Sequence, residues 1–348
     1  MEETKKRSHL WLNVTLFGCV LVLGLFYVKW FPYFQKALTA SSTHSIGTAI
    51  VANVGKKLPI FSLSAGLQFT IVYFKAVWKA VILGLLVGSL VQVLIPTRWI
   101  KKVLGGNQFR NSVLAMLFGI PTMMCTCCTA PVAVGLKRSR ASVNSVVAFF
   151  LANPLLNPAT LIFMGFVLGW KFTFFRLVFG IVTVLTVATA VGYVTTKKSV
   201  NVPDTKVFEP IEITDTPLMQ RWLKTMGRLV IESIPAYLAI VFLLGAFQGL
   251  LFPAISHSSQ GLLVIGLFAL VGTLFVLPTA GEIPIIQVLL TLGLGLGPAA
   301  ALLIALPAVS IVSLSLLKPV FSWKELSVIA GGVFLLAIIA GLSGSFLL

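Results

Sequence analysis

Charge is what this chain has least of. Only 10% of its 348 residues are Asp, Glu, Lys or Arg, and the mean hydropathy is +1.03. Too little polar surface remains to clothe a soluble core of that size, so the composition points to an integral membrane protein. Cysteine is scarce as well, and four residues are too few for a disulfide framework. No glycine-rich phosphate loop is present, which argues against energy from ATP bound on this chain. No small-residue cleavage site follows the first apolar stretch, which therefore reads as a retained first helix. Acidic residues number nine against 26 Lys and Arg, giving a net charge of +17. Those cations sit beside hydrophobic segments rather than in one block, where they fix topology; nucleic acid is not the expected partner.

What is present in quantity is apolar sequence of bilayer length. Long runs lie near Leu10–Trp30, Val81–Ile95, Phe172–Val194, Leu238–Pro253 and Val328–Leu348. Prolines then reveal a duplication. Pro96 to Pro121 spans 25 residues, as does Pro253 to Pro278. Pro131, Pro154, Trp170 and Lys171 recur 153 residues later as Pro284, Pro307, Trp323 and Lys324. The offset is 157 before the central motif and 153 after it, so the first copy carries four extra residues there.

Basic residues orient the halves. Lys5, Lys6 and Arg7 predict a cytoplasmic N-terminus, and an interfacial helix is expected around Ile46–Leu58. Loops 97–110 and 137–140 carry seven Lys or Arg residues, whereas their counterparts near 254–260 and 291–297 carry none. That contrast predicts inverted-topology repeats. The expected fold is an all-α polytopic membrane protein with proline-broken re-entrant hairpins and discontinuous helices. Its parts are residues 1–65 (an N-terminal transmembrane helix and external segment), 66–196 (first repeat), 197–224 (cytoplasmic linker) and 225–348 (second repeat). Pro121 and Pro131 should break the first hairpin, and Asn153-Pro154-Leu155-Leu156-Asn157-Pro158 a discontinuous span.

The chemistry is concentrated in one copy. Met123, Met124, Cys125, Cys127 and Cys128 place five sulfur atoms in six residues. Thiols and thioethers are soft ligands for Cu(I), trivalent arsenic or sulfane sulfur, so Cys125, Cys127, Cys128, Met124 and Thr126 are candidate solute ligands. A soft-metal version would use Cys125, Cys127, Cys128 and Met123. With no histidine nearby, the pattern does not suit structural zinc. Glu282 lies at the equivalent break of the second copy, where nothing in the local sequence neutralises it. It is a candidate for proton coupling or gating. Glu232 aligns with Lys75, and the two are expected to pair across the halves. Asn153 and Asn157 flank the discontinuous span, with Ser310 aligned to Asn157; they either line a polar path or satisfy loose backbone groups. Thr129, Asn144 and Thr279 stand behind them.

With these residues in view, the chain resembles the ArsP-like predicted permeases, which include organoarsenical efflux proteins. The resemblance rests on Cys125, Cys127 and Pro131 in a Cys-x-Cys-x-x-x-Pro hairpin. It continues through Ala148–Pro158, then Glu282 with Pro284 and Ala299–Pro307, covering about residues 66–348. It implies a transporter of the bacterial cytoplasmic membrane, and in arsenical members paired thiols handle trivalent arsenicals. Two departures stand out. Cys128 and Thr129 replace a Cys-Ser-Cys-Gly-like pattern, and Ala280-Gly281 stands where relatives often carry a cysteine. The expected activity is export of a trivalent organoarsenical without a cofactor; the partners are a small-molecule solute and the lipid bilayer, with homo-oligomerisation open. Thiosulfate, sulfite or Cu(I) are alternative solutes. A membrane thiol oxidoreductase or sulfur-transfer enzyme is the alternative from another class, since Cys125 and Cys128 have Cys-x-x-Cys spacing.

Overall fold

The computed structural model describes residues 2–45, 61–95, 97–106, 109–198, 218–247 and 261–348, and among them all regular structure is helical. Helix α1 (Glu2–Leu25) continues through a π-helical turn, Phe26–Trp30, into α2 (Phe31–Thr43). Then come α3 (Leu63–Leu94), the short α4 (Thr97–Leu104), α5 (Phe109–Gly119) and α6 (Thr126–Arg138). Helices α7 (Val143–Leu155) and α8 (Pro158–Val167) precede α9 (Trp170–Lys198). The second half runs α10 (Leu218–Ala246), α11 (Leu262–Leu274), α12 (Glu282–Thr291), α13 (Leu296–Ala308), α14 (Ile311–Leu317) and α15 (Trp323–Leu347). Seven spans are long and apolar enough to cross a membrane, which makes this a polytopic membrane protein.

The order of elements in the first half recurs in the second. A long helix (α3 or α10) precedes two short helices meeting at a break (α5 and α6, or α11 and α12), with α4 intervening in the first half only among the described residues. A span in two pieces follows (α7 and α8, or α13 and α14), and then a second long helix. Helices α7, α8 and α9 begin 153 residues before α13, α14 and α15. The short pairs have 11 and 13 residues in one half and 13 and 10 in the other. At 1.5 Å per residue each reaches about 15–20 Å, well short of a bilayer's hydrocarbon core. Across the halves, α3 packs on α10, α9 on α15, α6 on α14 and α12 on α8.

Proline falls differently from its sequence-based expectation. Pro121 sits in a 3-10 turn, Ile120–Thr122, next to the break, but Pro131 stays inside α6. The chain reverses at Met123, whose φ of 50° is left-handed, and resumes as a helix after the extended Cys125. Residue Ala280, 157 positions on, repeats the left-handed conformation with φ 66°. A proline in a helix removes one backbone donor, and α6 tolerates this because it is wedged against α3. Gly84 and Gly88 let the backbones touch: a Cβ on Gly88 would lie 2.5 Å from the Pro131 carbonyl oxygen, and one on Gly84 would collide with that of Cys128. Helix α10 is already helical at Leu218, inside the stretch read as linker. The interfacial helix expected near Ile46–Leu58 lies outside the described residues.

Candidate functional site

The two helix breaks face each other around a buried cavity. Met124, Cys125 and Thr126 line it from the first half, and Leu277, Pro278, Thr279, Ala280 and Glu282 from the second. Pro154, Thr160 and Pro307, from the two-piece spans, complete the wall. The space holds about one water molecule. In this conformation the space between the breaks is too small for a solute of several atoms.

Cys125 is the N-cap of α6 and Cys128 lies one turn on, so both thiols project from one side of the helix start. Their sulfur atoms are 3.1 Å apart. Cys127 is rotated away, because successive helical residues differ by about 100°. Its Sγ accepts from the Tyr73 hydroxyl at 3.7 Å, and Tyr73 in turn accepts from Tyr237 at 3.2 Å. The structure thus brings the sulfur atoms of Cys125 and Cys128 together, while that of Cys127 lies against Tyr73. Among the described residues no set of three His, Cys, Asp or Glu side chains is placed to hold a metal ion.

The asparagines do backbone work. Asn153 Oδ1 accepts from the Thr122 hydroxyl and from the Met124 amide at 3.4 Å, while its Nδ2 donates to the Phe149 carbonyl at 2.9 Å. The amide freed at the first break is therefore satisfied by α7. Asn157 caps α8 through bonds from the amides of Ala159 (3.0 Å) and Thr160 (3.3 Å), and Ser310 caps α14 in the same way. The buried Nδ2 of Asn157 has no hydrogen-bond partner.

Glu282 is not alone, as its local sequence suggested. Arg176, fully buried on α9, donates from Nη1 to Glu282 Oε1 at 2.7 Å. Its Nη2 and Nε reach the carbonyls of Pro154 (2.7 Å) and Leu155 (3.1 Å). One guanidinium thus neutralises the carboxylate of the second break and satisfies two carbonyls at the end of α7. The expected Lys75–Glu232 pair is also corrected. Lys75 is exposed, and Glu232 accepts instead from Arg138 Nη2 at 2.8 Å. Lys75 shares a helix with Tyr73 but points outward, because α3 turns its opposite stripe to the core.

Two further residues come from the N-terminal helix. Lys29, only 4% exposed, donates from Nζ to the Tyr33 hydroxyl (3.1 Å) and to Thr279 Oγ1 (3.2 Å). Trp30 Nε1 donates to the Pro121 carbonyl at 2.9 Å. The first helix thus bonds to both breaks, although sequence reasoning set it apart from the repeats. A signal was available for Lys29 and Arg176: each is a cation inside an apolar run long enough to span.

The family model ArsP_1, described as a predicted permease, matches residues 19–152 and 123–346. The UPF0718 protein YraQ of Escherichia coli is 45% identical over 337 residues, covering 95% of this chain and 94% of its own. The UPF0718 protein MJ0584 of Methanocaldococcus jannaschii is 20% identical over 327 residues, covering 75% of this chain and 90% of its own. No solved structure matches the chain.

Proposed function

The chain belongs to this predicted permease family, and on that premise we propose that it is a secondary transporter for a soft, thiol-reactive solute bound transiently by Cys125 and Cys128. The observation carrying this reading is the pair of buried sulfur atoms 3.1 Å apart, beside a cavity shared by both helix breaks. Two thiols at that spacing suit one thiophilic atom, and a trivalent organoarsenical is the concrete candidate. Thr126 and Met124 line the approach, while Asn153 and Asn157 hold the broken backbone in shape.

The halves act as inverted repeats, residues 66–196 and 225–348, joined by a linker that includes 197–217. The cross-half packing supports this, since α3 and α9 pack on their own counterparts, α10 and α15, and the contact of α6 with α14 is matched by that of α12 with α8. The positive loops support a cytoplasmic location for the N-terminus and residues 137–140, in a bacterial inner membrane. Glu282, clamped by Arg176, moves with the gate, and release of that clamp accompanies opening. Glu232 with Arg138 ties α10 to α6.

Flux of phenylarsine oxide through proteoliposomes of the purified full chain tests the proposal. Cys125→Ser and Cys128→Ser should each reduce flux at least tenfold, with the solute emerging chemically unchanged. Full flux in either variant would remove the thiol pair from the mechanism. Stoichiometric oxidation or sulfur transfer to the solute would favour the oxidoreductase class.

A further inference from the structure

Lys29 is the buried charge for which the proposed mechanism has no use. It sits in the π-helical turn between α1 and α2, a local widening found disproportionately at functional positions. Its two hydrogen-bond partners, Tyr33 and Thr279, are neutral hydroxyls. The ammonium also lies 5.2 Å from the centroid of the Tyr33 ring, so its neighbours are hydroxyls and an aromatic face rather than a carboxylate. Arg176, the other buried cation beside the cavity, already has Glu282. Of the remaining carboxylates whose side chains are described, Glu232 bonds Arg138, and Glu325 bonds Ser322 and Thr195. Around the two breaks there are thus two cations and one carboxylate.

An ammonium that no described carboxylate pairs with is expensive inside a membrane protein, and such residues face substrate routes or partners. Lys29 lies within electrostatic reach of the Cys125 and Cys128 thiols, and Thr279, its hydrogen-bond partner, lines the cavity with Cys125. The start of α6 adds to this potential. Cys125 stands at the N-cap of α6, where the first helical amides carry partial positive charge. The cation, the helix start and the thiols meet at one place.

We infer that the site also takes soft solutes that carry a negative charge, and that Lys29, from the N-terminal helix, binds that charge beside Cys125 and Cys128. The chemical class is a small anion with an exposed sulfur atom, for which thiosulfate is the probe. This rests on the proposed transport site, and it adds a charged class of solute, which the thiols alone leave open.

The test measures equilibrium binding of radiolabelled thiosulfate and of neutral phenylarsine oxide to the full chain in detergent. Thiosulfate affinity should fall at least tenfold in Lys29→Met and recover to within threefold of wild type in Lys29→Arg. Phenylarsine oxide affinity should change less than threefold in both. Thiosulfate binding that is absent from wild type, or unchanged in Lys29→Met, would overturn the inference. Loss of phenylarsine oxide binding only in Cys125→Ser and Cys128→Ser would leave the thiol site standing in that case. Retention of it in both would refute the thiol site independently of Lys29. A measurement on wild type needs no variant to fold. Relative to their rates with a free thiol, an anionic methanethiosulfonate should modify Cys125 at least tenfold faster than a cationic one. Equal or reversed rates would also overturn the inference.

Discussion

Arg176 makes the most exposed energetic prediction, because three of its bonds converge where the halves meet. Replacing it with methionine keeps an unbranched apolar stem, shorter than arginine, and removes every donor. Glu282, only 3% exposed, is then left without its ion-pair partner. Stranding one member of a buried pair costs about 3–5 kcal/mol. The Pro154 and Leu155 carbonyls lose their donors as well, adding about 1 kcal/mol after partial relaxation. At about 2 °C per kcal/mol for a chain of this size, Arg176→Met should lower the melting temperature in dodecyl maltoside by about 8–12 °C. Glu282→Gln should cost less, about 2–4 °C, because an amide oxygen still accepts and the guanidinium keeps both carbonyls. The decisive variant is the double, Arg176→Met with Glu282→Leu. An apolar pair replaces a solvated-nowhere ion pair, so the double should melt above Arg176→Met alone. A Tm of Arg176→Met within 2 °C of wild type, or strict additivity in the double, would refute the reasoning.

Other outcomes follow from the same geometry. Gly88→Ala pushes a methyl against the Pro131 carbonyl, a backbone group that cannot swing aside, and should destabilise by about 1–3 kcal/mol in thermal melts. Gly227→Ala on α10 meets open space and should be neutral or stabilising, which controls for helix propensity. Cys127→Ser should keep phenylarsine oxide binding within threefold of wild type, since that thiol faces Tyr73 rather than the cavity; a tenfold loss would restore the three-thiol site. Lys75→Ala should leave stability within about 0.5 kcal/mol, whereas Glu232→Gln should cost up to about 1 kcal/mol, because the partner of Glu232 is Arg138. A cysteine at Arg140 and one at Gly293 should label from opposite membrane faces; labelling from the same face would end the inverted arrangement.

The helical class, the long spans and both breaks were legible in the sequence because they are written in short-range signals. Apolar length marks spans, proline marks interruptions, and a repeated proline spacing aligns the halves. Cys125, Glu282 and Thr279, which line the cavity, were legible for the same reason, as they sit on the interruptions themselves. What escaped was pairing at a distance. The partner of Glu282 lies 106 residues earlier in the chain, and Lys29 reaches Thr279 across 250. Alignment by offset placed Lys75 opposite Glu232, yet equivalence in sequence does not make two residues neighbours; the facing stripe of each helix decides that. Pro131 misled because a proline lowers the stability of a helix without forbidding it, and tight packing on Gly84 and Gly88 outweighs the lost bond. Rotation along α6 likewise split three adjacent thiols into a pair and an outlier.

Among the described elements the N-terminal helix has no counterpart in the proposed repeats, and a single object cannot obey the two-fold axis proposed for them. By reaching Pro121 with one residue and Thr279 with the next, it gives each break a different neighbour. Duplication makes two interchangeable pockets, and an odd helix laid over them ends that equality. A division of labour between thiols on one side and a clamped carboxylate on the other is then the natural state of the molecule. In this light, the missing cysteine beside Glu282 is broken symmetry rather than a lost ligand.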